Sequence, residues 1–291
     1  MKHSRDHGGY PTPDGSGMHK VPPQDLREDA FIRHKMFNDR TSAARKYADL
    51  TIGEFSVLKL VKYELITSLL GPLPGAMGLF LRKIFYPLLL KKVGRGVMFG
   101  RNVVLRHCDK ITIGDRVVID DNTLLDARGG DEGIVIGDDV IINRACQIQS
   151  KVGSVHIGAR SDIGTGTAIV SQGGVYVDEQ VCIAAACKIS GGLFHILPNR
   201  DGNPPYRRYS KGPVRIGKRC VLAMGAMILD GVTVGEGSMV GSGAVVVANI
   251  PPYSIISPRP PMVMQNPILS EEGVAESETK TGWEGRPSGE N

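Results

Sequence analysis

The sequence predicts an all-β solenoid wound as a triangular prism, and three observations predict it. An aliphatic residue returns every six positions: Ile113, Ile119, Leu125; Ile136, Ile142, Ile148; Ile157, Ile163, Ile169; Val177, Ile183, Ile189; Ile216, Leu222, Ile228; Val234, Val240, Val246. Val93, Phe99 and Leu105 extend the series backward with one aromatic. Two residues before most of these stands a small or β-branched residue, among them Val117, Thr123, Cys146, Ser161, Thr167, Cys187, Cys220, Ala226 and Ser238. Strand side chains alternate faces, so both members of each pair point inward. The irregularities also segregate: the steps from Val93 to Ile113, Ile136, Ile157, Val177, Ile216 and Val234 are 20, 23, 21, 20, 39 and 18 residues. Three hexads need eighteen, and every surplus follows the third hexad, so all insertions leave from one corner. Short repeats that stack only on their neighbours are solenoids. Seven coils at ~4.8 Å per strand layer give a prism about 34 Å long.

A turn former follows each aliphatic (Gly114, Asp120, Asp126, Gly137, Asn143, Gly158, Gly164, Gly217, Gly235, Gly241), a residue type that tolerates a left-handed backbone. The repeat fills residues 93–251 of the 291 and leaves no room for a second large core. Of five cysteines, Cys146, Cys187 and Cys220 take the small inward position, where a thiol is a compact filler, and Cys108 and Cys182 have no evident partner. A reducing compartment is expected. The first thirty residues carry no apolar run, so no secretory signal is read there. A net charge of +5 without interleaved aromatics argues against nucleic acid.

In chain order, residues 1–22 are rich in Gly, Pro, His and charge and are expected to be disordered; residues 24–50 suggest a polar helix. The organisation expected is a polar, largely disordered region 1–50, an apolar helical segment 51–92, the repeat domain 93–264 and an acidic disordered tail 265–291. Residues 55–70 and 76–90 are two apolar stretches broken by GPLPG, each too short for the ~20 residues of a spanning helix. They carry Lys59, Lys62, Arg82 and Lys83, and read either as a cap on the first coil or as a hairpin on a membrane with those cations facing anionic lipid.

The largest insertion, residues 191–213, holds His195. Long ordered loops on rigid scaffolds often carry function, and a neutral imidazole there can take a proton from an alcohol near neutral pH.

The hexads and residues 212–256 (GPVRIGKRCVLAMGAMILDGVTVGEGSMVGSGAVVVANIPPYSII) resemble the C-terminal coils of hexapeptide-repeat acyltransferases, including the sugar and polysaccharide O-acetyltransferases. The likeness runs over about residues 55–264. It implies a left-handed β-helix, a homotrimer, and acetyl-CoA held in a groove between subunits. By position, His195 matches the catalytic loop histidine. Met224 and Gly225 fall where a backbone N–H faces the thioester, Ser242 where the pantetheine arm runs, and Val247 where a threonine often meets the cofactor. The chain departs from the family at Val221 (a tryptophan there), at residues 258–261 (PRPP in place of GNPA) and at Met262 (an arginine there); the acceptor positions fall near Gly164 and Gln172. A basic cluster of Arg200, Arg207, Arg208, Lys211, Arg215, Lys218 and Arg219 reads as a replacement for the missing ligands of the CoA phosphates, Lys218 and Arg219 being the members closest to the coils; a solvated face is the plainer alternative.

The resemblance therefore implies an O-acetyltransferase acting on a sugar hydroxyl in surface-polysaccharide or glycan biosynthesis, on a free, nucleotide-linked or lipid-linked acceptor. The expected location is the cytoplasm, peripheral on the inner face of the membrane, with no metal. A non-catalytic scaffold is one rival. The other is a metal hydratase built on His107, His156 and His195, which fall on alternate coils about 10 Å apart, too far for one tetrahedral zinc.

Overall fold

The inward aliphatics form three continuous ladders in the computed structural model, which describes residues 19–20, 41–192, 209–210 and 212–258. Val93 pairs with Ile113, then Ile136, Ile157, Val177, Ile216 and Val234 follow rung by rung. Phe99, Ile119, Ile142, Ile163, Ile183, Leu222 and Val240 form the second ladder, and Leu105, Leu125, Ile148, Ile169, Ile189, Ile228 and Val246 the third. Three parallel sheets of 7, 8 and 7 strands make the three faces. The first runs from Lys92–Val93 to Thr233–Val234, the second from Met98–Phe99 to Ile255–Ile256, the third from Val104–Arg106 to Val245–Val246. This is the parallel β-helix of about seven coils that the repeat predicts, and its winding is left-handed. The eighth strand of the second sheet closes a partial last turn that the hexad count stopped short of: Ile250 bridges Val234, and Ile255–Ile256 pairs with Met239–Val240.

The small inward positions do more than fill space. Thr123, Ser161, Thr167 and Ser238 donate to backbone carbonyls of the next coil at 2.9–3.2 Å (Asn143, Asp178, Ala184 and Pro251). Cys146, Cys187 and Cys220 do the same toward Gly164, Ala223 and Gly235 at 3.0–3.2 Å. Burial raises all three thiols above the usual cysteine range, so they stay protonated donors. Each such bond gives a turn carbonyl a side-chain donor; those of Gly164 and Ala223 also accept a backbone N–H, from Thr167 and Ala226.

The turns correct one sequence expectation. The left-handed residue is the third after each first- or second-face aliphatic, as at Arg116, Asn122, Asp139, Ala145, Arg160, Gln180, Ala186, Arg219 and Gly225. The glycine directly after the aliphatic has another cause, the close approach of successive coils. A Cβ on Gly114 would stand 2.7 Å from the carbonyl carbon of Gly137, and one on Gly158 would stand 2.4 Å from that of Asp178.

Helices cover the first coil. Helix α1 (Ala43–Thr51) is capped by Ser42, whose hydroxyl accepts from the Arg45 N–H, and it buries Ala48. The boundary expected at residue 50 thus falls inside an ordered helix, because its carbonyl at Thr51 receives the His107 N–H. Helix α2 (Val57–Leu70) stops at Gly71-Pro72, and α3 (Gly75–Phe85) runs on into a 3-10 turn, Tyr86–Leu88. Arg82, which the membrane alternative would turn toward lipid, is instead buried. Its guanidinium donates to the carbonyls of Phe99 (2.9 Å), Leu70 (2.9 Å) and Leu73 (2.7 Å), which ties the break between the helices to the first coil. The Tyr63 hydroxyl donates likewise to the Leu105 carbonyl at 2.8 Å. Residues 19–20, expected in a disordered region, pair antiparallel with Tyr209–Ser210, where the insertion offers an edge of free backbone groups. The expectations for residues 1–18, 21–40 and 259–291 lie outside the described residues.

Candidate functional site

The corners of the prism sort the candidate residues. Met224 and Gly225 sit in the turn from the second to the third face of the sixth coil, and Ser242 sits in the same turn one coil on. The two turns are joined, because the Gly243 N–H donates to the Met224 carbonyl at 2.9 Å. Met224 is 62% exposed. The Gly225 N–H donates to the Ala185 carbonyl at 3.0 Å and is not free for a ligand. The Met224 N–H has no partner among the described residues, and of the two it is the donor able to meet a developing oxyanion.

Lys218 and Arg219 lie at a different corner, between the first and second faces. There they join a ladder of ion pairs along the axis: Arg95–Asp115, Arg116–Asp139, Arg160–Glu179, Lys218–Glu179 at 2.8 Å, and Arg219–Glu236. The hydrogen bond from Lys218 holds the Glu179 carboxyl below its ordinary range. Exposed pairs of this kind contribute little each, but they occupy both cations; the carboxylates opposite lie a full coil away along the chain, out of reach of a reading by spacing. Arg215 from the same basic cluster lies over the Tyr176 ring at 4.7 Å, and Tyr176 stacks on His156. Val247, 61% exposed, stands at the third corner, after the third face of the seventh coil. His195 belongs to the insertion at that same corner and lies outside the described residues, as do Arg200, Arg207, Arg208 and Lys211. Among the described candidate residues, Met224, Gly225 and Ser242 come together on one corner.

The other two histidines have separate surroundings. His156 is the outward residue of strand Val155–Ile157, with a Glu132 carboxylate oxygen 3.0 Å from Nε2. His107 is buried, its Nδ1 3.2 Å from Asp126 and its Nε2 3.3 Å from the Asp49 carbonyl of α1. Arg128 completes the group with a 2.9 Å bond to Asp126. Sequence reasoning missed this cluster; its one signal is that His107 and Asp126 each follow a third-face aliphatic, one coil apart. Its buried position under α1 makes it a fastener for that helix. A hollow of about 170 Å³ also opens under the helices, lined by Lys59, Lys62, Tyr63, Leu88 and Cys108, at the opposite end of the prism from Met224. Burial pushes the Cys108 thiol there up to about 12, which makes it a poor nucleophile.

The fold and the repeat define a hexapeptide-repeat β-helix. Residues 213–248, the two coils that carry Met224 and Ser242, match the family model described as bacterial transferase hexapeptide (six repeats). Among curated proteins the chain is similar to the dTDP-4-amino-4,6-dideoxy-D-glucose acyltransferase of Escherichia coli, 26% identical over 169 residues, which is 57% of this chain and 76% of that protein. Among solved structures it is similar to AntD, an N-acyltransferase from Bacillus cereus in complex with dTDP and 3-hydroxybutyryl-CoA, at 20% identity, covering 58% of this chain and 79% of the other with a TM-score of 0.40. It is also similar to galactoside acetyltransferase in complex with coenzyme A, at 16% identity, covering 78% and 84% with a TM-score of 0.35. The resemblance to hexapeptide-repeat acyltransferases read from the sequence is borne out.

Proposed function

We propose that this chain transfers an acyl group from an acyl-coenzyme A to a sugar, and in particular acetyl from acetyl-CoA to a sugar hydroxyl in glycan assembly. One observation carries the reading. The two coils with the family match present an exposed turn at Met224 whose N–H is unpaired, beside the turn of Ser242. In the proposed step His195 takes the proton of the hydroxyl, whose oxygen attacks the thioester carbonyl. The Met224 N–H steadies the oxyanion, and the intermediate collapses to the sugar ester as the CoA thiolate leaves and takes up that proton.

The homotrimer belongs to the same proposal. Outward residues of the second face form an apolar line that includes Met98, Ile141, Val221, Met239 and Ile255, all exposed in the single chain. Covering that line with a second copy would bring a corner of one chain against another and supply the groove that one prism lacks. The five free thiols, one of them exposed at Cys182, suit the reducing cytoplasm as the location.

The test is calorimetry with acetyl-CoA on the full chain, followed by turnover with His195→Ala. Acetyl-CoA binding, together with a loss in the variant of ~10²-fold or more at unchanged CoA affinity, is the expected result. Absence of binding would leave a scaffold, and full activity in the variant would remove His195 as the base. A sedimentation mass near the 31.3 kDa of one chain would remove the trimer. The named activity of the Escherichia coli relative favours a second reading, transfer to an amino sugar. Parallel assays with hydroxyl and amino acceptors, and with acetyl-CoA and 3-hydroxybutyryl-CoA, separate the two.

A further inference from the structure

We infer that the outer side of α2 and α3 rests on an anionic lipid bilayer, lying in the plane of the headgroups. This goes beyond the transfer reaction and does not depend on it.

A helix that only caps a solenoid turns its large apolar side chains toward the coil. Here more of them are turned away from it than toward it. Tyr63 is the one buried residue of α2, and Gly78 and Arg82 are the buried residues of α3. The inner contacts combine Ile66 and Leu70, partly buried against the core, with two polar groups, the Tyr63 hydroxyl and the Arg82 guanidinium, bonded to carbonyls of the first coil. The outer side carries Leu58, Val61 and Leu65 on α2, and Met77, Phe80 and Ile84 on α3, each set at spacings of three and four. Leu58 is 84% exposed, Met77 70% and Phe80 60%. A solvated apolar face on two adjacent helices marks a contact surface.

Charge selects the occupant. Residues 41–110 hold twelve lysines and arginines against four acids. Lys83 of α3 and Lys91, Lys92 and Arg101 of the first coil are exposed. Two copies meeting through this face would bring like charges together, whereas an anionic surface attracts them all. No helix among the described residues is long and apolar enough to cross a membrane, so the segment lies on the bilayer.

Flotation of the full chain with vesicles tests this. The chain is expected to rise with phosphatidylcholine–phosphatidylglycerol vesicles, to stay down with phosphatidylcholine alone, and to be released by high salt. Lys83→Gln should weaken partitioning roughly fivefold. The double variant Leu65→Asp/Phe80→Asp should weaken it by ~10-fold or more while circular dichroism is unchanged. Phe80→Trp gives a second readout, an emission that shifts to the blue only when the mixed vesicles are present. Protein left at the bottom with mixed vesicles, or unaltered flotation of the double variant, would overturn the inference. So would a fall in the sedimentation mass of the double variant, which would assign the face to a second copy. Failure of the acyl transfer leaves all of these readings intact.

Discussion

At the scale of single residues, the prism is made by positions whose chemistry is set one coil away. Asp126 shows it. Burial alone would raise its carboxyl, but the hydrogen bond with His107 and the charges of Arg128 and Arg106 outweigh that and hold it below the ordinary carboxylate range. A carboxyl depressed in the folded state stabilises the fold fully above its unfolded value near ~4, and that stability is lost as pH falls through the folded value. Denaturant midpoints measured from pH 6 down to 3 are therefore expected to fall more steeply in the native chain than in Asp126→Asn; parallel slopes would mean the carboxylate contributes nothing. The aliphatic of each hexad was legible from spacing, because period two and period six act along the chain itself. The partners of Asp126, Lys218 and Cys187 were not, because they are brought opposite by winding. Thiols expected as fillers prove to be donors, and cations expected on a cofactor prove to be paired with Glu179 and Glu236.

At the scale of elements, the strands were legible nearly to the residue and the helices only as a segment. A strand of two or three residues has little freedom once its inward residue is fixed, and all three ladders fall on the expected hexads. The sequence left the helical segment open between a cap and a membrane contact, and the two sides of the helices differ in the structure. The inner side caps through Arg82 and Tyr63, and the outer side is left apolar. Replacing Arg82 by Met should expose this division. It removes the donor from three carbonyls in a buried setting, at a cost of about 2–4 kcal/mol. The measurement is thermal unfolding together with limited proteolysis; the segment 57–90 is expected to become cleavable at temperatures where the coils still resist. A variant as stable and as resistant as the parent would mean the guanidinium only fills space.

At the scale of the whole molecule, the described candidate residues of one chain stand on three corners: Met224, Gly225 and Ser242 on one, Lys218 and Arg219 on another, Val247 on the third. A repeat specifies what faces inward and says nothing of what another copy brings to the outside. The insertion corner has a consequence for how the chain can be cut. The fifth and sixth coils are held together by ladders on all three faces, Val175–Val177 against Val214–Ile216, Cys182–Ile183 against Val221–Leu222, and Lys188–Ile189 against Met227–Ile228. None of those hydrogen bonds runs through the covalent link between residues 192 and 212. Two polypeptides, 1–199 and 200–291, should then reassemble when made in the same cell and copurify through a tag on either one, parting only in denaturant. The peptide bond at this corner would then be dispensable, so that the polypeptide could be opened and new termini placed there, as in a two-piece reporter whose halves recover activity when they meet.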